Sequence, residues 1–234
     1  MFQVTIRSVV VVKAVVLLSG GLDSTVCMAV ARDSGCELWP ISFEYQQRHS
    51  RELDCARQVA AYFRVKRHLV IQTNMSAIGG SALTDLSLTL PGGDIGRQDI
   101  PTTYVPARNL IFLSYALGYA EVVGADRIYI GVNALDYSGY PDCRPEFIGL
   151  FQQLADYSTK AAVQDGRKIV VETPLIQLSK KEIVLLGDKL KAPLDLTSSC
   201  YAGGESACGR CDSCLLRLKG FAEAGLTDPI SYKQ

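Results

Sequence analysis

Apolar positions follow two alternating rhythms along the chain. Short apolar runs at residues 14–18, 38–43, 68–71, 127–132 and 168–172 predict five strands. Val15-Val16-Leu17-Leu18 is apolar at consecutive positions, the pattern of a strand buried on both faces. Between the runs, apolar residues recur at helical spacing. One helix runs from about Ser24 to Ser34, apolar nearly all round and ended by Gly35; another follows His49 with Leu53, Ala56, Ala60 and Phe63 on one face. A third opens at Tyr104-Val105-Pro106-Ala107-Arg108-Asn109, with Leu110, Leu113, Leu117 and Ala120 as its stripe. A helix to about Lys160 precedes the fifth strand, and Ser179 with Glu182 makes a capping box for a helix ending near Lys189. A last helix spans about Ser213 to Ala224. Strands alternating with helices predict an α/β fold with a doubly wound parallel sheet. Phe2, Val4 and Ile6 alternate with polar residues, which predicts a short edge strand. Residues 81–103 are rich in Gly, Asp, Thr and Pro and have no sustained period, which predicts a lid or binding loop that orders with ligand bound.

The first strand ends in Leu18-Ser19-Gly20-Gly21-Leu22-Asp23-Ser24-Thr25, a sharp turn into a helix. Glycines let backbone amides turn inward, the helix adds free N–H groups and the positive end of its dipole, and Ser19, Ser24 and Thr25 bring hydroxyls. Neither Gly-Lys-Ser/Thr nor G-x-G-x-x-G is present at the required spacing. The order Ser-Gly-Gly-x-Asp-Ser resembles instead the pyrophosphate loop of the ATP pyrophosphatases, which split ATP between the α and β phosphates. Gln47, Arg48 and His49 follow the second strand at the sheet edge where ligands bind, or form a solvated helix start. Arg108 lies near a helix start, where the dipole disfavours a cation; it either contacts a phosphate or carboxylate or is a surface arginine. Asp136, Asp142 and Arg144 belong to a turn dense in charge, aromatic rings, Gly and Pro, which suits recognition of a polar ring edge.

At 234 residues and 48% hydrophobic, the chain fits one large domain with a small appendage and buries a full core without disulfides. A formal net charge of zero favours a small-molecule substrate over nucleic acid. The apolar N-terminus is interrupted by Lys13 and has no small-residue cleavage site, and no segment reaches the ~18 uninterrupted apolar residues of a membrane span. A cytoplasmic protein with no membrane partner is expected, its cysteines thiols or metal ligands. Cys200, Cys208, Cys211 and Cys214 are spaced to surround one metal tetrahedrally, which suits structural zinc. The three-cysteine run also resembles part of a ferredoxin signature, but there the fourth cysteine and a proline follow downstream, whereas here the fourth lies upstream. Cys27, Cys36 and Cys55 read as buried small side chains.

The phosphate loop, residues 45–49, Val105-Pro106-Ala107-Arg108-Asn109, Ser138-Gly139-Tyr140-Pro141-Asp142-Cys143-Arg144 and the late cysteine quartet together resemble the 7-cyano-7-deazaguanine synthase family. Gln46 departs from it, since the family commonly has glycine there. The resemblance implies an adenine nucleotide alpha hydrolase-like fold, with an ATP pyrophosphatase domain at residues 1–190 and a zinc-binding segment at 191–234 packed on it. It implies conversion of 7-carboxy-7-deazaguanine, ammonia and ATP to the nitrile through adenylated acid and amide, with one structural zinc and a homodimer. In that reading residues 18–25 hold ATP, with Asp23 a magnesium partner. Asp23, Ser24 and Arg108 serve catalysis, and Gln47, Arg48, His49, Asp136, Asp142 and Arg144 meet the substrate. A tRNA-thiolating enzyme on the same fold is the alternative; it predicts a basic RNA-binding face and redox-active thiols.

Overall fold

A computed structural model describes residues 11–46, 51–85, 87–94, 99–135 and 140–233. The edge strand expected at Phe2 to Ile6 lies outside them. Five strands, β1 (Lys13–Leu17), β2 (Glu37–Glu44), β3 (Leu69–Gln72), β4 (Arg127–Tyr129) and β5 (Val170–Glu172), form one sheet in the order β3-β2-β1-β4-β5 with every pair parallel. The helices are α1 (Leu22–Asp33), α2 (Arg51–Tyr62), α3 (Arg108–Val123), α4 (Pro145–Ser158), α5 (Lys160–Val163), α6 (Lys180–Lys189) and α7 (Asp212–Ala224). None is long and apolar enough to cross a membrane.

The period-2 geometry of β1 divides the core. Val15 and Leu17 face one layer with Ile41, Phe43, Phe112 and Leu113 of α3, and Phe151 of α4. Ala14 and Val16 face the other, with Val26 and Met28 of α1, Val59 of α2, Ile183 of α6 and Phe221 of α7. Phe43 and Phe112 stack with ring centroids 3.9 Å apart, joining α3 to the sheet. The fold is the doubly wound parallel α/β sheet that the alternation predicted.

Two details differ from the sequence pattern. Leu110 of the expected α3 stripe is 39% exposed. The buried face instead runs through Asn109, Leu113, Ala116, Leu117 and Ala120, so Leu110 falls one position outside it. The fourth strand stops at Tyr129 rather than Val132, because beyond Ile130 the chain leaves the ladder and Asn133 Nδ2 donates to the Leu175 and Leu178 carbonyls. The capping box of α6 is formed, with Ser179 Oγ and the Glu182 carboxylate each accepting the other's backbone N–H.

In the long loop the described residues form neither helix nor strand, yet both ends are built into the fold. Ser81, Ala82, Leu83, Thr84 and Thr103 are buried, and Ala82 N–H donates to Thr102 O at 2.8 Å. After α6, a 3-10 turn at Leu194–Leu196 leads to the cysteines and α7. Arg217 of α7, 2% exposed, donates to both Asp228 carboxylate oxygens at 2.8 and 2.9 Å, to Thr197 Oγ1 at 2.7 Å and to Leu194 O at 3.1 Å.

Candidate active site and metal centre

The strand order reverses at β1: β2 lies on one side of it and β4 on the other. A crevice opens at such a switch point beyond the carboxyl ends of the strands, and here it is a cleft of about 280 Å³. The Ser-Gly-Gly-x-Asp-Ser loop forms its floor. Gly20 adopts φ +85°, and a Cβ there would overlap the Glu52 carbonyl of α2, so only glycine closes this turn. Ser24 Oγ donates to Gly21 O at 3.0 Å and accepts from Ser19 N–H at 3.2 Å, while Ser19 Oγ accepts from Gly21 N–H at 3.3 Å. These hydrogen bonds fix the shape of the loop. On the far side Gly131 approaches so closely that a Cβ would lie 2.9 Å from Asp23 O.

Of the eight residues that the sequence reading assigns to ATP, Leu18, Ser19, Gly21, Leu22, Asp23 and Ser24 line the cleft, and Gly20 and Thr25 do not. Gly20 turns toward α2, and Thr25 is fully buried behind the loop with its hydroxyl unpartnered. The Asp23 carboxylate receives Lys180 Nζ at 2.8 Å on each oxygen. Arg108, half-buried at the start of α3, sits with its guanidinium 6.0 Å from the Tyr140 ring and hydrogen-bonds Tyr45. Burial would lower its pKa, but the surrounding groups that can carry negative charge raise it on balance, Glu52 being the one of them that ionises near neutral pH, and the cation stays charged. Burial pushes Tyr45 up to about 12 and Glu52 up to about 7, Arg108 opposing both shifts.

Two substrate assignments do not reach the cleft. The Asp142 carboxylate is buried and accepts Asn109 N–H at 2.9 Å, which satisfies the start of α3, and Asn109 Nδ2 returns a bond to Asp142 O at 3.2 Å. Arg144 is exposed at the N-cap of α4. Gln47, Arg48, His49 and Asp136 lie outside the described residues. Sequence reasoning missed Glu52, Lys180 and Tyr201, all on the cleft wall. For Lys180 a signal existed: it is a cation in the first position of a helix, the feature that singled out Arg108.

The Sγ atoms of Cys200, Cys208, Cys211 and Cys214 lie within 4.8 Å of one another. Cys208 N–H donates to Cys200 Sγ at 3.2 Å, and Arg210 N–H to Cys208 Sγ at 3.5 Å. Cys211 caps α7 and Cys214 lies in its first turn, where the helix dipole favours a thiolate. Hydrogen bonds from Cys211 and Cys214 draw Cys200 well below the ordinary thiol range. Backbone donors, a helix start and four converging sulfurs suit a closed four-thiolate metal site. The other cysteines stand apart from it: Cys27, Cys55 and Cys143 are buried and Cys36 is half-buried. The metal-binding segment also reaches the cleft. Ser198, Ser199, Tyr201, Ser213 and Leu216 form part of its wall, and the long loop docks on the knuckle through Gly93 N–H to Arg210 O at 3.1 Å and Asp94 N–H to Asp212 Oδ1 at 2.6 Å.

Comparison with known proteins agrees with this arrangement. The family described as "Queuosine biosynthesis protein QueC" matches residues 13–225. The 7-cyano-7-deazaguanine synthase of Desulfitobacterium hafniense is 60% identical over 220 residues, 94% of this chain and 93% of that one. Its counterpart in Acetivibrio thermocellus is 57% identical over 222 residues, 95% of this chain and 98% of that one. With the phosphate loop, the cysteine quartet and this degree of identity along nearly its whole length, the chain belongs to the 7-cyano-7-deazaguanine synthase family.

Proposed function

We propose that this chain converts 7-carboxy-7-deazaguanine and ammonia to 7-cyano-7-deazaguanine at the expense of ATP, in queuosine biosynthesis. A carboxylate resists attack because oxide is a poor leaving group. Transfer of AMP to the acid oxygen, with release of pyrophosphate, lets that oxygen depart as AMP when ammonia forms the amide. A second adenylation, on the amide oxygen, lets it depart again as the nitrile forms. One phosphate loop serves both adenylations. The observation that carries the reading is a preorganised Ser-Gly-Gly-x-Asp-Ser loop at the switch point of the sheet, with Arg108 and Lys180 bringing positive charge to the same cleft. Backbone N–H groups of residues 19–24 and the start of α1 suit the departing pyrophosphate, and Arg108 suits charge building on the α-phosphate. Magnesium, when bound, would neutralise the phosphates; Asp23 is the loop carboxylate that would hold it, once released by Lys180, which now holds both its oxygens at 2.8 Å. Zinc is the metal that best fits four thiolates, and its role is structural because a closed site offers no open position. The cysteines converge on one another rather than on the cleft, which disfavours the tRNA-thiolating alternative. A cytoplasmic homodimer fits the family resemblance, with light scattering as its check.

The test is incubation of the purified protein with the carboxylated base bearing ¹⁸O in its carboxyl group, ATP, magnesium and ammonium, followed by mass analysis. The expected result is nitrile, with both carboxyl oxygens recovered in two molecules of AMP. Nitrile without label in AMP, or label in ADP or phosphate, would overturn the adenylation scheme.

A further inference from the structure

Ammonia carries three N–H bonds and a nitrile carries none, so three protons must leave nitrogen in each turnover. One leaves as the amide C–N bond forms and AMP departs with the electron pair of its C–O bond. Another leaves as the amide oxygen displaces pyrophosphate from a second ATP, giving an O-adenylated imidate. The last leaves as C≡N forms and the remaining C–O bond breaks, releasing AMP again. A cleft that does this needs a base able to take a proton from nitrogen and return it to solvent near neutral pH.

Among the described residues of the cleft wall the carboxylates are Asp23 and Glu52. Asp23 is clasped through both oxygens by Lys180. Burial pushes Tyr45 and Cys143 to about 12 and Tyr201 well above its ordinary value, so all three keep their protons. Glu52 projects from the first turn of α2, and the backbone of that turn is locked against the phosphate loop, since its carbonyl fills the space a Cβ on Gly20 would need. No described residue donates a hydrogen bond to its carboxylate. Among the described residues the charged or titratable groups acting on it are Arg108 at the start of α3, Tyr45 after β2, Cys200 of the metal segment and, on its own helix, Cys55. Burial is the largest influence, holding the carboxyl near 7, where it exchanges protons with solvent readily.

We propose that Glu52 is the general base of the nitrile-forming reaction, accepting protons from nitrogen as the amide forms and as it is dehydrated; the proposal rests on the function proposed above. Exchange of labelled pyrophosphate into ATP, driven by the carboxylated base without ammonia, moves no N–H proton and isolates the first adenylation. Glu52→Gln is expected to keep that exchange within about tenfold, while nitrile formation from the acid with ammonium, and from the amide, falls by about 100-fold or more. Hydroxylamine, largely unprotonated at neutral pH and a stronger nucleophile, depends less on a base, so hydroxamate formation in the variant is expected to fall by less than amide formation does. Retained exchange also shows that the variant is folded; should it be insoluble, Glu52→Asp carries the same comparison with a retracted carboxylate. Undiminished nitrile formation in Glu52→Gln would overturn the proposal, as would loss of exchange in step with nitrile formation, which would make Glu52 a nucleotide contact. No acid-dependent exchange in the wild type would overturn the nitrile-forming reading, and the proposal with it.

Discussion

Glu52 lowers the stability of the fold at neutral pH, because a carboxyl raised from 4.5 to about 7 binds its proton more tightly folded than unfolded. Its contribution is therefore full below about pH 4.5 and is lost as pH rises through about 7. Glu52→Gln is expected to raise the melting temperature at pH 8, and to raise it less at pH 5.5; an unchanged or lower value at pH 8 would show that burial does not act on this group. Gly131 has an opposite kind of constraint. A Cβ there meets backbone of Asp23 and Ser24 at 2.9 to 3.1 Å, and backbone on both sides cannot yield without moving the phosphate loop. Gly131→Ala should cost about 1–3 kcal/mol in urea unfolding and slow acid-dependent pyrophosphate exchange by about 100-fold. Exchange at the wild-type rate would show that the loop tolerates the shift. The residues legible in the sequence were those whose type shapes the loop: two glycines and two serines around a turn. Lys180 carried only the weak signal of a cation at a helix start, because its partner Asp23 lies 157 positions away. Asp142 shows the same limit: its carboxylate accepts a backbone N–H 33 positions away, a partner that the turn's own sequence does not reveal. At Gln46, where the family commonly has glycine, the backbone keeps the left-handed φ of +58°, which explains that preference and the ~1–2 kcal/mol that a non-glycine residue bears there.

Strands and helices were readable because burial imposes a pattern on the chain, a helical period on the helices and, in β1, an unbroken apolar run buried at every position from Ala14 to Leu17. Their ends were less so: β4 stops where Asn133 finds carbonyls after β5, a tertiary event without a local signal. Cysteine spacing announced a metal site but not that the segment around it walls the cleft. Ser198, Ser199 and Tyr201 flank Cys200, and Ser213 and Leu216 lie beside Cys211 and Cys214 in α7, so ligand and cleft-wall residues share the same few turns of chain. The long loop hangs from that knuckle through Arg210 and Asp212. Removing the metal with a chelator and a mercurial that frees the thiols should therefore abolish nitrile formation and open residues 199–211 to protease, while the circular dichroism of the sheet and α1 to α4 largely persists. Reduction followed by stoichiometric zinc should restore both. Full activity in protein shown by elemental analysis to be metal-free would separate the cysteines from the cleft.

Across the whole molecule two devices close the C-terminal segment onto the sheet: the thiolate cluster, and the Arg217–Asp228 pair behind it. Arg217 is 2% exposed and uses Asp228, Thr197 and the Leu194 carbonyl, while Tyr232 O–H adds a 2.6 Å bond to the same carboxylate. Phe221, one turn further along α7, packs in the core layer beneath α1, so loosening this pair reaches the main sheet. Asp228→Ala leaves a guanidinium buried without its counter-charge, and in the metal-loaded protein should cost about 3–5 kcal/mol in urea unfolding. Arg217→Met replaces the cation with an apolar side chain of similar reach, and should cost less than Asp228→Ala even though it breaks the same pair. The order of these two losses decides between a structural ion pair and a surface contact, since a screened pair would give losses below about 1 kcal/mol for both. If metal and ion pair close one cooperative unit, Asp228→Ala should also release the metal to a colorimetric chelator faster than the wild type. If release is unchanged while stability falls, the knuckle and the main sheet open independently.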